Sequence, residues 1–151
     1  MERTVMMQLK NWKNSQFRKP LILTGARQVG KTYVLKEFGK KEFKNVAYVN
    51  CDNNPDVRSL FDEDYDMKKV LMIIGAITKQ PIVPGETLII LDEIQELPRG
   101  LSSLKYFCEE IPEYHVVVAG SLLGVAMRQV NRRQWGRLML CRCFQCRLKN
   151  I

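Results

Sequence analysis

Short unbroken apolar runs in this chain alternate with longer stretches whose apolar residues recur at helical spacing. Arg3 to Asn14 carries Val5, Met6, Leu9 and Trp12 at that spacing, which predicts an amphipathic opening helix. Pro20 ends it, and Leu21 to Thr24 (LILT) follows as a continuous apolar run of the kind that forms a strand buried on both faces. Tyr33 to Phe38 reads as a helix stopped by Gly39, and Val46 to Asn50 as a second strand. Asp56 to Phe61 and Met67 to Thr78 read as helices, the latter with Val70, Leu71, Ile74 and Ile77 on one face. Pro81, Pro84 and Gly85 mark a loop before a third strand, Thr87 to Leu91. A helix over Leu101 to Cys108 and a fourth strand over Val116 to Ala119 complete the series. Strands separated by helix-length segments predict right-handed crossovers and a parallel α/β sheet.

Composition narrows the class without changing that picture. A chain of 151 residues is one domain in size, and its 46% hydrophobic and 26% charged residues exclude disorder. The longest mainly apolar stretch, Val116 to Met127, is too short to span a bilayer and is interrupted by Gly and Ser. No charged-then-apolar leader opens the sequence, so the expected location is cytoplasmic, with no membrane partner. The net charge of +8 would ordinarily point to nucleic acid. Its distribution argues otherwise. Residues 128–151 hold seven of the 24 Lys and Arg and none of the 16 acids, which leaves residues 1–127 at +1. The reading is a nearly neutral body, 1–127, and a basic, Cys-containing tail, 128–151, with nucleic acid unsupported by the body.

The chemistry is concentrated in two places. Gly25-Ala26-Arg27-Gln28-Val29-Gly30-Lys31-Thr32 fits GxxxxGK[ST] and lies between the LILT strand and a helix. Gly25 and Gly30 let the backbone bend so that successive N–H groups converge on phosphate oxygens. The helix that follows aims its positive end at the same anion. Lys31 is the candidate for the β- and γ-phosphates, and the Thr32 hydroxyl is a candidate ligand for Mg²⁺. Arg27 and Gln28 belong to the loop, but the pattern does not fix which way they face.

Asp92 and Glu93 close the hydrophobic run Thr87 to Leu91, at the carboxyl edge of the sheet where open α/β folds bind ligands. Asp92 is the second candidate for holding Mg²⁺. Glu93 is the candidate to orient and polarise an attacking water. An acid that follows the metal carboxylate favours ATP hydrolysis over phosphoryl transfer to a small molecule. The NKxD-like segment of a GTPase is missing. Ser121 after the fourth strand reads equally as a γ-phosphate or water contact and as a plain turn. Asn50 and Asp52 either steer Glu93 or cap their loop, and the capping reading is favoured. His115 has no second His near it and reads as structural.

The segments RKPLILTGARQVGKT, TLIILDEIQELPRGLSSLKYF and EYHVVVAGSLLGVAM resemble the prokaryotic AAA-type ATPases that join an N-terminal P-loop domain to an uncharacterised C-terminal domain. The likeness runs from about Arg3 to Met127. It implies a three-layer, RecA-like α/β core of sheet order 5-1-4-3-2, Walker A at Gly25–Thr32, Walker B at Leu88–Glu93 and a sensor position at Ser121. It also implies ATP and Mg as ligands and a homo-oligomer in which a neighbouring subunit lends an arginine.

After GSLLGVA the tail departs from the family pattern. One codon choice for Trp135 to Ile151, read a base earlier, encodes VGKVDVVPLFPMSFKEY, which is like the family continuation. A change of frame between Met127 and Trp135 is therefore expected, and the gene's DNA decides it. On that expectation the chain is truncated, the fifth strand is missing, Leu21–Thr24 is an open sheet edge, and turnover is weak or absent. Cys141, Cys143 and Cys146 fall one short of a four-thiolate metal set and are accidental under the same reading.

Overall fold

The structure, a computed structural model, describes residues 2–15, 20–24, 30–52, 54–58, 60–61, 66–97, 99–120 and 144–147. Five strands form one parallel sheet: β1 (Leu21–Thr24), β2 (Asn45–Asn50), β3 (Thr87–Asp92), β4 (His115–Gly120) and β5 (Phe144–Arg147). Their order is β2-β3-β4-β1-β5, the expected 5-1-4-3-2 read from the other side. The helices are α1 (Glu2–Lys13), α2 (Lys31–Glu42), α3 (Pro55–Arg58), α4 (Met67–Thr78) and α5 (Leu104–Glu110), with 3₁₀ turns at Ile94–Glu96 and Leu101–Ser103.

Side-chain alternation splits the core in two. On one face Ile22, Val49, Ile89, Leu91, Val116 and Val118 pack with α4 and α5 through Val70, Ile74, Leu104 and Phe107. On the other, Leu21, Leu23, Leu88, Ile90, Val117 and Ala119 pack with α1 and α2 through Leu9, Trp12, Leu35 and Phe38. All six residues of β3 and all six of β4 are buried, as continuous apolar runs in a covered parallel sheet should be. His115 is structural, as expected. Its ring lies 4.9 Å from Phe43 and 5.7 Å from Trp12, edge to face with both.

Three expectations are corrected. The fifth strand is present: β5 pairs in parallel with β1 from Leu21↔Phe144 to Thr24↔Arg147, so β1 is an interior strand. An unpaired apolar edge leaves backbone N–H and C=O groups without partners, and any extended segment can supply them through its own backbone. The basic composition of the tail therefore does not keep Phe144–Arg147 out of the sheet. The helix expected over Asp56 to Phe61 is a single turn, Pro55–Arg58, continued by a tight Leu60 N–H to Val57 carbonyl bond.

Gly39, read as a helix stop, lies inside α2. A Cβ built there would come within 2.3 Å of Val46 Cγ2, so this glycine lets α2 lie close against β2. Gly39→Ala gains helix propensity, but the added methyl forces Val46 aside. The expected net result is a loss of about 1–2 kcal/mol, from an overpacking cost of about 1–3 kcal/mol, read as a lower midpoint in thermal unfolding. A midpoint equal to or above that of the parent chain would contradict the close-approach reading.

Candidate functional site

The site forms where α2 begins, at the carboxyl end of the sheet. Gly30 precedes the helix with φ 78° and contributes no side-chain cap to the first-turn N–H groups. That left-handed backbone suits glycine. It turns the chain directly into Lys31 and Thr32, which are the first two residues of α2. The first turn carries no acid, and Lys31 is buried, 7% exposed. A cation buried at the positive end of a helix reverses the charge arrangement that helix ends favour, and an anion at that point relieves both charges.

Across from it, Asp92 ends β3 and is 5% exposed. Its register partner is Asn50 of β2, and that of Ile90 is Tyr48. Ile90 belongs to the core face that α2 covers, and Asp92, two residues on, points to the same side. The result is a contact between segments 60 residues apart: the Thr32 hydroxyl donates to Asp92 Oδ2 at 2.6 Å. The Tyr48 phenol donates to the same oxygen at 2.7 Å, and the Glu93 amide donates to Oδ1 at 3.0 Å. Burial pushes the Tyr48 phenol above its ordinary range, and the Asp92 carboxylate adds to the rise.

Glu93 follows in the left-handed region at φ 56°, opening the 3₁₀ turn. A non-glycine residue with this backbone is uncommon and concentrates where side-chain direction matters. Its carboxylate accepts a hydrogen bond from the Gln95 amide. Cys51 lies buried just past β2, with its amide donating to the Asp92 carbonyl at 2.8 Å. Burial together with the Asp92 and Glu93 carboxylates pushes its thiol up to about 12, so it is a neutral thiol at physiological pH.

The structure thus brings Gly30, Lys31, Thr32, Asp92 and Glu93 to one edge of the fold. Gly25, Ala26, Arg27, Gln28, Val29 and Ser121 lie outside the described residues. Asn50 takes the capping role: its side-chain oxygen accepts from the Asp52 amide at 3.0 Å. Tyr48 and Gln95 are the residues the sequence reading passed over. The signal for Tyr48 is its parity with Asn50 along β2, but only the β2–β3 register puts that side of the strand beside Asp92.

Comparisons with known proteins bear on the family and the fold. A family model described as an AAA domain matches residues 17–151, which crosses the compositional boundary. The chain belongs to the AAA domain family. No curated protein matches the sequence. Among solved structures, the AAA fold is shared with Aeropyrum pernix Orc1 in complex with DNA (TM-score 0.57, 17% identity), covering 99% of this chain and 44% of that one. The Thermotoga maritima RuvB Holliday junction branch migration motor is similar too (TM-score 0.58, 14% identity, 98% and 44% covered). So is AMPPCP-bound DnaA from Aquifex aeolicus (TM-score 0.55, 17% identity, 96% and 44% covered). The chain spans less than half the length of each. As an AAA domain it is a P-loop nucleotide-binding domain of α/β class. Among the described residues no helix is long and apolar enough to cross a membrane.

Proposed function

We propose that this AAA domain binds Mg-ATP at the start of α2 and is built to hydrolyse it. The observation that carries the reading is the 2.6 Å bond from Thr32 to Asp92. A hydroxyl and a buried carboxylate held together beside a buried lysine are hard oxygen donors next to a phosphate-binding cation. That donor set fits Mg²⁺, which takes a few protein oxygens and keeps part of its water shell. Thr32 and Asp92 would hold the ion, which when bound neutralises charge on the phosphate oxygens.

The remaining roles fall to the chain itself. Residues 25–30 are the proposed phosphate-binding segment, and Lys31 draws charge from the β- and γ-oxygens. Glu93 accepts a proton from the water that attacks the γ-phosphorus, while the bond from that phosphorus to the bridging oxygen breaks and ADP leaves with the electron pair. The Gln95 amide donates to the Glu93 carboxylate and so orients it, and Ser121 is proposed as a contact to the γ-phosphate or the water. A homo-oligomer, with an arginine lent by a neighbouring subunit, completes charge stabilisation at the transition state. The isolated chain is accordingly proposed to bind well and to turn over slowly.

Thermal unfolding with and without Mg-ATP tests the binding reading. At a nucleotide concentration about 100 times Kd, binding to the folded state adds about 2.7 kcal/mol. The unfolding midpoint then rises by about 5–10 °C for a chain of this size. No shift at millimolar Mg-ATP, in a sample that melts cooperatively, would contradict the proposal.

A further inference from the structure

We infer that Tyr48 is a positioning residue for the divalent-cation half of this site, acting through the Asp92 carboxylate; the inference rests on the Mg-ATP reading above. A carboxylate on a short side chain turns readily about its last torsion, because terminal sp³–sp² torsions are broad. Asp92 is fixed at three points: the Glu93 amide on Oδ1, and the Thr32 and Tyr48 hydroxyls on Oδ2. The Thr32 hydroxyl spends its proton on Oδ2 and keeps both lone pairs for the ion, so the position of Oδ2 sets where that hydroxyl points. The Glu93 amide belongs to a backbone already in the left-handed region. Tyr48 anchors the same oxygen from β2, outside the start of α2, so it keeps Oδ2 aimed at Thr32 as the ion binds.

The anchor is itself held. Tyr48 lies on β2, two register positions before the Asn50↔Asp92 pair, so the ring runs up the sheet to reach Asp92. The Lys36 ammonium of α2 sits 4.2 Å from the ring centroid, on a helix whose first turn carries Lys31 and Thr32. One face of the phenol is thus covered from the element that carries the phosphate-binding residues. Removing the Tyr48 hydroxyl takes away this anchoring bond and leaves the Thr32 hydroxyl on Asp92, which separates the two halves of the site. Phosphate contacts through Lys31 stay, and cation contacts loosen.

The test is Tyr48→Phe in the whole chain, read with a fluorescent ATP analogue titrated in EDTA and then across a range of free Mg²⁺. The expected result is an affinity in EDTA within about twofold of the parent. The Mg²⁺ concentration giving half of the affinity gain should rise about tenfold, the scale of one hydrogen bond to a charged group partly replaced by water. In an Asp92→Asn background the same change should have no further effect on Mg²⁺ dependence, since the carboxylate it orients is gone. An unchanged Mg²⁺ requirement overturns the inference. So does an equal loss of affinity with and without Mg²⁺, or a fall in the unfolding midpoint that accounts for the whole effect. The parent chain separates the two claims. If it binds the analogue with no gain from Mg²⁺, the Mg-ATP reading fails first; if it gains and Tyr48→Phe gains equally, only the role of Tyr48 fails.

Discussion

Lys31→Ala is expected to abolish ATP binding and leave the fold intact. The ammonium lies at the start of α2, where the helix dipole and first-turn N–H groups converge on the same point. Each charge-assisted contact to a phosphate oxygen is worth about 1.5–3 kcal/mol, and a lysine between the β- and γ-phosphates makes at least two. Their loss weakens affinity by a factor of about 10²–10⁴. Stability should move little or rise, because the substitution removes a buried cation from the positive end of a helix. Equilibrium binding alongside thermal unfolding checks both halves. An affinity for ATP equal to that of the parent would sink the assignment of the phosphate site.

Glu93→Gln is expected to spare binding and suppress hydrolysis. The two side chains have the same shape, so the turn at φ 56° and the Glu93 amide bond to Asp92 are kept. A neutral amide cannot take up the proton of an attacking water. General-base assistance contributes about 10²–10⁴ to rate, and whatever turnover the chain has should fall by that factor. The change also replaces the carboxylate that accepts from Gln95 with an amide, which can still offer its oxygen. Phosphate release at saturating Mg-ATP, set beside binding of the same sample, gives the comparison. Parallel loss of both would mean that Glu93 supports the structure of the site and not the water.

How far the sequence reaches differs from element to element, for physical reasons. β1 to β4 and α4 are visible because burial on both faces demands unbroken apolar runs, and an amphipathic helix demands its spacing. The Thr32–Asp92 meeting is inferable because a parallel sheet delivers strand ends to one edge, even across a sequence separation of 60 residues. Gly39 misleads because a glycine that ends a helix and one that admits a close neighbour look alike in sequence, and only Val46 tells them apart. Tyr48 is hidden because strand register is a property of pairing and leaves no local signal. β5 is hidden because its pairing with β1 runs through the backbone, which composition does not report.

In the proposed nucleotide site Thr32 and Asp92 form the cation half, and Lys31 with the helix start forms the anion half. Calorimetric titration of the whole chain with ATP, in Mg²⁺ and in EDTA, for the parent and for Asp92→Asn, tests it most directly. The expected result is one ATP per chain, an affinity at least tenfold higher in Mg²⁺ than in EDTA, and loss of that gain in Asp92→Asn with the EDTA value retained. An affinity for ATP that Mg²⁺ does not change, or a Mg²⁺ gain that survives Asp92→Asn, would contradict it.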